Sequence, residues 1–329
     1  MDAEAASFDA IVNLHALPAQ AALTPEPRRP PRVPNKMVPM EPFPIPPNLR
    51  EAAQEDGWQW WLDTLSRTVA DLTERWALQV GAPFEPGGSC AWVAPVTDAA
   101  GAELVLKLGL PHPEADHEAD GLREWAGDGT VQLHAFEELE TTTALLLERC
   151  TPGTPLRTRP PAEQDEVIVG LLRRLWRVPA PGHRFRPLQS MCDMWAREFE
   201  EDVAPGRGGV DPGLAREGMA LFRSLPATAN RHVLLATDLH AANVLAAKRK
   251  PWLAIDPKPY VGDPAYDVLQ HMFNCDDRLL TDPRGFAYRM ADLASLERDR
   301  VALWVFARSV QWMPRRPYLG TVARRVSPG

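Results

Sequence analysis

The segment 234–267 constrains the fold of this chain most strongly, because it places two short apolar runs on either side of a polar turn. Residues 244–247 and 252–255 are the apolar runs, and the turn between them has the sequence Lys-Arg-Lys-Pro. Short apolar runs that flank a turn are typical of a β-hairpin. We therefore predict an antiparallel hairpin here, whose two outer ends lie side by side.

Three oxygen-bearing side chains meet at the open end of this predicted hairpin. Asn243 precedes its first strand, Asp256 follows its second strand, and Asp238 lies five residues before Asn243 on the entering loop. Oxygen ligands of this type suit Mg²⁺, and a carboxylate beside the metal can accept the proton of an attacking hydroxyl. The spacing matches the phosphoryl-transfer pattern of kinases. The alternative is that these residues serve only as turn and cap residues, since Asp and Asn favour both roles.

Composition limits the classes of protein that remain. The chain has 329 residues, 45% of them apolar and 24% charged, which is ordinary for a globular protein of about two domains. Its net charge of −8 argues against a nucleic-acid partner, which would require a surplus of Lys and Arg. The four cysteines form no CxxC pair, so we expect neither a disulfide scaffold nor structural zinc. Without a signal peptide or an apolar run of about 20 residues, we expect a cytoplasmic protein with no membrane partner.

The chain divides into three parts by composition. Residues 1–49 hold 11 of the 34 prolines, which predicts an extended or disordered segment without chemistry. Residues 50–150 alternate helix and strand patterns and are predicted to form an N-terminal nucleotide-binding lobe. Residues 151–329 are predicted to form a helical C-terminal lobe that carries catalysis and the acceptor. The predicted helices cover 48–80 (capped by Asn48 or Asp56), 114–125, 167–176, 188–201, 214–225 and 296–311, and the predicted strands cover 90–96, 103–108, 130–137 and 142–148.

Longer stretches resemble a known family. VLAAKRKPWLAIDPKPYVGDPAYD resembles the streptomycin 6-kinase and hydroxyurea phosphotransferase group of the aminoglycoside phosphotransferase family. The matches LVLKLGLP at 104–111, HEADGLREWAGDGTVQL at 117–133 and LLLERCTPGTPL at 145–156 extend the resemblance over roughly residues 50–310, in the same order. The resemblance implies a two-lobed, protein-kinase-like α+β fold, with a small antiparallel sheet lobe, a larger helical lobe, and ATP and Mg²⁺ as cofactors.

The same resemblance implies a role for each residue of the motifs. Asp238 would be the catalytic base, and Asn243 and Asp256 would hold Mg²⁺. Lys107 would contact the α- and β-phosphates, with Glu118 as its ion-pair partner, because a buried ammonium is costly unless it is paired. Composition alone would instead favour an exposed lysine on an edge strand.

Further positions remain open between two interpretations. Glu114 is the alternative partner of the lysine. Gly88 and Ser89 lie where a phosphate-covering turn would be, although a plain hairpin turn would also explain the glycines. Glu148 and Cys150 belong to the hinge between the lobes, where peptide groups rather than side chains would meet the adenine.

Some positions depart from the wider family pattern. The histidine usually found two residues before the catalytic Asp is Ala236 here, and Pro257 follows the second metal-ligand position, so we expect no movable activation switch. We expect His240 to brace its loop and Asp263 to be a helix N-cap, with a proline after it.

The acidic residues that follow the N-cap carry a separate prediction. Asp267, Asp276 and Asp277 could line an acidic acceptor pocket that suits a polycationic aminoglycoside, although charges of this kind are usually solvated surface.

The sequence thus predicts an ATP-dependent O-phosphotransferase whose partner is a small hydroxylated molecule, namely an aminoglycoside-like antibiotic or related natural product. Two alternatives stay open: a kinase of a primary metabolite such as a sugar or amino alcohol, and a catalytically inactive nucleotide-binding module. The retained Asp238, Asn243, Asp256 and Lys107 argue against the inactive module. The choice between ATP and GTP, and between monomer and homodimer, is not determined by the sequence.

Overall fold

The computed structural model describes residues 43–112, 115–203 and 210–328, which fall into two compact units. Unit 1 contains residues up to Pro111 together with Glu137–Leu146, and unit 2 contains His112–Phe136 together with Leu147–Gly329. The domain boundaries at residues 49 and 150 stay predictions. Most of the proline-rich segment lies outside the described residues.

Unit 1 begins with two helices where the sequence predicted one. Helix α1 spans Pro47–Asp56 and helix α2 spans Gln59–Arg75. The break falls at Gly57, whose φ of 75° lies in the left-handed region that glycine adopts without a Cβ clash. The predicted caps are wrong for the same reason, because Asn48 lies inside α1 and Asp56 ends it.

A five-stranded sheet follows these helices, in the order β1-β2-β3-β5-β4. The pairs β1–β2 and β2–β3 are antiparallel, and β2 alternates buried and half-buried residues as a one-sided strand should. The predicted strands are confirmed to within three residues, and β1 was not predicted. The strands are β1 (Gln79–Val80), β2 (Ala91–Thr97), β3 (Glu103–Gly109), β4 (Leu133–Glu138) and β5 (Thr143–Glu148).

Unit 2 is mainly helical. The four predicted helices from residue 167 onward are confirmed, with bounds shifted by up to six residues, whereas α9, α10 and α12 were not predicted. The helices are α3 (Glu118–Trp125), α4 (Pro161–Leu175), α5 (Leu188–Asp202), α6 (Pro212–Ser224), α7 (Pro264–Asp267), α8 (Leu269–Met272), α9 (Asp276–Thr281), α10 (Pro283–Ala294), α11 (Arg298–Trp312) and α12 (Leu319–Val326).

Helix α11 is the central element of unit 2. From Val301 to Trp312 all but one of its residues are buried, and it packs against α6, α10 and α12. A helix that is apolar around most of its circumference must lie inside a bundle. The helical core of unit 2 therefore surrounds α11.

Four short strands of unit 2 position two neighbouring loops. Strands β7 (Val244–Ala246) and β8 (Trp252–Ala254) form the predicted hairpin, with Val244 opposite Ala254. Strands β6 (Val233–Leu235) and β9 (Tyr260–Gly262) form a second antiparallel pair. Because β6 pairs with β9 and β7 pairs with β8, the connections 236–243 and 255–259 run next to each other.

Within the described parts of the chain, none of the helices has both the length and the apolar character needed to cross a membrane.

Candidate active site

The loop 236–243 carries Asp238 and is closed by backbone and side-chain hydrogen bonds. The Asn243 amide Nδ2 donates to the carbonyl of Asp238 at 3.1 Å, and the Ile255 N–H donates to the carbonyl of Asn243 at 2.9 Å. Asp256 follows Ile255 with a φ of 53°, a left-handed conformation that Asp tolerates better than most residues. The prediction that the hairpin returns Asp256 to the level of Asn243 is confirmed.

Both oxygens of the Asp238 carboxylate are engaged. Gln270 Nε2, on α8, donates to Oδ1 at 2.8 Å, and the Lys258 ammonium lies 2.9 Å from Oδ2. The side chains of Asp238 and Lys258 are only 6% and 12% exposed, so this ion pair is largely shielded from water. Neither partner was predicted from the sequence.

The backbone of Lys258 is tied to the same loop. Its N–H donates to the carbonyl of Ala236 at 2.9 Å, and its carbonyl accepts a 2.5 Å hydrogen bond from the Thr237 hydroxyl. Pro257 and Pro259 flank it and fix φ on both sides. The lysine is therefore presented to Asp238 by a stiff segment.

Asp267 holds the loop from the other side. It is fully buried at the end of α7 and accepts hydrogen bonds from the N–H groups of Ala236 and Thr237, at 3.0 and 2.7 Å, and from Trp176 Nε1 at 2.9 Å. Burial raises the pKa of Asp267 to about 6, and these hydrogen bonds act in the opposite direction. The prediction that Asp267 lines an acceptor pocket is wrong, because the carboxylate is used entirely inside the protein.

His240 braces the loop, as predicted. Its Nδ1 accepts a hydrogen bond from the Ala242 N–H at 3.3 Å, and the residue is 4% exposed. Burial lowers the pKa of His240, Asp238 and Asp256 raise it, and His271 and Lys258 lower it. A neutral ring is consistent with the acceptor role of Nδ1. The charges of Asp238, Asp256 and Lys258 thus all act on one buried side chain.

Asp263, Asp276 and Asp277 have other surroundings. Asp263 caps α7 through the Ala265 N–H at 3.0 Å, as predicted, and it also accepts from Arg300 and Trp304 at 2.6 Å each. Asp276 and Asp277 lie exposed in the first turn of α9. Their role towards an acceptor stays a prediction.

Lys107 lies in β3 of unit 1 and is 9% exposed. Strand β3 is flanked by β2 and β5, so Lys107 is not on an edge strand and the alternative of an exposed edge lysine is wrong. Glu118, in unit 2, begins α3 and is 5% exposed. Glu114 lies outside the described residues.

Gly87 and Gly88, which precede Ser89, differ in the space that a side chain would have at each position. A Cβ on Gly87, whose φ is 84°, would lie 2.5 Å from Pro46, so this position needs glycine for packing. A Cβ on Gly88 would meet nothing closer than the Ala91 carbonyl at 4.0 Å. Gly88 is thus exposed, and its immediate surroundings leave space for another molecule.

Glu148 is held by a side chain that was not predicted. Arg249, from the hairpin turn, donates to both carboxylate oxygens of Glu148 and to the carbonyls of Gly127 and Thr130. The Glu148 side chain therefore serves a structural contact, and the role of its peptide groups towards adenine stays a prediction. Burial, followed by the charge of Glu148, raises the pKa of Cys150 to about 12, so its thiol is protonated at neutral pH and is a poor nucleophile.

The donor set of the loop suits a hard divalent cation. Among the described residues no group of three or more His, Cys, Asp or Glu could hold a metal. Magnesium typically takes only one or two carboxylates and retains several waters. The Asn243 Nδ2 donates to the Asp238 carbonyl, so only its Oδ1 could serve as a metal ligand, and Asp256 lies on the neighbouring loop.

Comparisons with known proteins show which proteins this chain is similar to. Streptomycin 6-kinase of Streptomyces griseus is 34% identical over 280 residues, covering 81% of this chain and 89% of the relative. Hydroxyurea phosphotransferase of Kitasatospora aureofaciens is 34% identical over 254 residues, covering 76% and 72% respectively. A choline kinase from Streptococcus pneumoniae matches in fold with a TM-score of 0.56 at 11% identity, covering 79% of this chain and 96% of that one.

The predicted two-lobed, protein-kinase-like α+β fold class is thus confirmed. The aminoglycoside/hydroxyurea antibiotic resistance kinase family matches residues 75–315, which is most of the chain. The two curated relatives, both phosphotransferases, support the same assignment. This protein therefore belongs to the aminoglycoside/hydroxyurea antibiotic resistance kinase family.

Proposed function

We propose that this chain transfers the γ-phosphoryl group of ATP to a hydroxyl of an aminoglycoside-like antibiotic, with Asp238 as the base. The observation that carries the proposal is a pair of hydrogen bonds, from Asn243 Nδ2 to the Asp238 carbonyl and from the Ile255 N–H to the Asn243 carbonyl, which holds the backbone of Asp238 and of Asn243 next to the segment that enters Asp256. Phosphoryl transfer needs little covalent chemistry from the protein. Positioning and neutralisation of charge are what this loop supplies.

Asp238 accepts the proton of the acceptor hydroxyl as that oxygen attacks the γ-phosphorus. Its carboxylate is oriented by Gln270 and Lys258, one on each oxygen. A base held in one rotamer loses less entropy in reaching the hydroxyl. Asp267 and Thr237 fix the peptide that precedes it.

Asn243 and Asp256 would hold Mg²⁺ through side-chain oxygens. The bound metal ion supplies charge neutralisation on the nucleotide phosphates. In unit 1, Lys107 and the Gly88-Ser89 turn are assigned to the phosphates, because Lys107 is a buried cation and Gly88 has open surroundings. The pairing of Lys107 with Glu118 stays a prediction, as does the contact of the 148–150 peptide groups with adenine.

The class of acceptor follows from the family. Both curated relatives are named for antibiotic or drug acceptors, streptomycin and hydroxyurea, at 34% identity. The choline kinase likeness, at 11% identity, concerns the fold alone. We therefore favour an antibiotic acceptor over a primary metabolite, and an active enzyme over an inactive module.

The test is an acceptor panel with the purified chain, Mg²⁺ and ATP labelled at the γ-phosphorus. Streptomycin, hydroxyurea, choline and a buffer blank are compared, and products are separated and identified by mass. We expect label on streptomycin or hydroxyurea and less than a tenth of that rate on choline. Label on choline alone would overturn the antibiotic assignment, and ATP stable under every condition would favour the inactive module.

A further inference from the structure

We propose that Lys258 is a catalytic residue that contacts the transferring phosphoryl group as well as Asp238. The inference rests on the proposed function and extends it, because no sequence motif assigned this lysine a role. Its ammonium lies 2.9 Å from Asp238 Oδ2, two residues after the predicted metal ligand Asp256. Lys258 thus contacts the proposed base from the same segment, 255–259, that carries the proposed metal ligand.

The surroundings of Lys258 support a functional use of its charge. The side chain is 12% exposed, and the pair that it forms with Asp238 is too well shielded to be an ordinary surface salt bridge. Burying an ion pair costs desolvation energy that its own attraction barely offsets. Stability alone is thus a weak reason to place a lysine here.

The backbone presents the lysine independently of its side chain. The N–H and carbonyl of Lys258 bond to Ala236 and Thr237, and Pro257 and Pro259 stiffen the segment. A side-chain substitution leaves these backbone bonds available. Loss of the ammonium can therefore be tested without dismantling the loop.

The proposed step conserves atoms and charge. The acceptor oxygen forms a bond to the γ-phosphorus while its proton moves to Asp238, and the bond from the γ-phosphorus to the bridging oxygen breaks, with its electron pair leaving on ADP. Once Asp238 is protonated, the charge–charge attraction between its carboxylate and Lys258 is lost and only a weaker hydrogen bond remains. The ammonium charge is then available to the phosphoryl oxygens, as a preorganised donor should be.

The experiment is a double-mutant cycle on the full chain, using Asp238→Asn, Lys258→Met and the double variant in single-turnover phosphorylation of streptomycin. Removing one preorganised donor typically costs about 100-fold to 1,000-fold in rate. We expect Lys258→Met to lower the single-turnover rate at least about 100-fold, with the KM for ATP from separate steady-state measurements changed less than about threefold. We expect the double variant to be at least about tenfold slower than Asp238→Asn, because the lysine also acts on the phosphoryl group.

Two controls separate this role from a structural one. Lys250→Met removes an exposed lysine of the hairpin turn and should leave the rate unchanged. Lys258→Arg retains the positive charge and should recover part of the rate lost in Lys258→Met. A double variant no slower than Asp238→Asn would overturn phosphoryl contact, as would a Lys258→Met rate within twofold of wild type.

The antibiotic assignment can fail while the proposed role of Lys258 holds, and the two outcomes can be distinguished. If the wild-type chain labels no acceptor, the same variants are compared in ATP hydrolysis, where water replaces the acceptor hydroxyl. A loss of hydrolysis in Lys258→Met would then support the lysine while the antibiotic assignment fails. A wild-type chain without any ATP turnover would overturn both.

Discussion

Replacing Asp238 by Asn should lower kcat for phosphorylation of the acceptor by about 100-fold to 10,000-fold, the range of a lost general base. The amide has nearly the shape of the carboxylate and can still accept from Gln270, so the loop should keep its fold. It cannot take up the proton of the hydroxyl. Steady-state kinetics with streptomycin and ATP measures the effect, with KM for ATP as the internal control.

The nucleotide should still bind to this variant, because Asp238 is assigned to the acceptor side of the reaction. A thermal shift with Mg²⁺-ATP equal to that of wild type would show that only the chemical step is lost. A kcat within twofold of wild type would contradict the assignment of Asp238 as the base.

Asp165→Ala should have the largest effect on stability among the buried charges of unit 2. The Asp165 side chain is fully buried on α4 and accepts hydrogen bonds from Arg278 at 2.7 and 2.9 Å, from Arg289 at 2.7 Å and from His271 Nε2 at 3.0 Å. It thereby links α4 to α8, α9 and α10. Removing one member of a buried ionic cluster typically costs about 3–5 kcal/mol, and we expect the lower end, because the arginines are 29% and 40% exposed.

The pH dependence of this loss follows from the pKa of Asp165. Burial alone would raise that pKa, but the hydrogen bonds from His271, Arg278 and Arg289 outweigh burial and hold it far below its ordinary value. A carboxylate with a lowered pKa in the folded state contributes stability above its unfolded pKa, and this contribution is lost as the pH falls. The difference between wild type and Asp165→Ala should therefore be full at pH 7 and shrink below about pH 4.

Urea unfolding at pH 7 and pH 3 measures both the loss of stability in Asp165→Ala and the dependence of that loss on pH. Asp292→Ala is the matched control, because Asp292 also accepts two 2.7 Å hydrogen bonds from an arginine, Arg298, but on the surface. Exposed pairs of this kind contribute little, so this variant should unfold as wild type does. An Asp165→Ala variant as stable as Asp292→Ala would contradict the structural role of the cluster.

The sequence predicted those parts of the site that depend on local pattern. The hairpin that aligns Asn243 with Asp256 follows from two apolar runs and a turn only a few residues long, and the Asp263 cap follows from the proline after it. Two strand-like runs separated by a turn likewise located β2 and β3. In each case the determining residues are neighbours along the chain.

Residues whose partners are distant in sequence could not be identified in this way. Asp267 accepts hydrogen bonds from peptide N–H groups 30 and 31 residues away, which the sequence does not show. Its prediction as part of an acceptor pocket therefore depended on its charge alone. Gln270 meets Asp238 across 32 residues. The position of Lys258, two residues after a proposed metal ligand and between two prolines, is visible in the sequence, but its burial and its partner Asp238 are tertiary features.

We propose that Asn243 and Asp256 form a metal-dependent nucleotide site beside Asp238. The direct measurement is the thermal shift of wild type and Asp256→Asn with ATP, in Mg²⁺ and in EDTA. Asn is the chosen substitution because it tolerates the left-handed backbone at this position, where φ is 53°.

A nucleotide present at about 100 times its Kd should stabilise the fold by about 2.7 kcal/mol. We expect a clear shift for wild type that requires Mg²⁺ and is absent or strongly reduced in Asp256→Asn. An equal shift in EDTA, or an equal shift in both proteins, would contradict it.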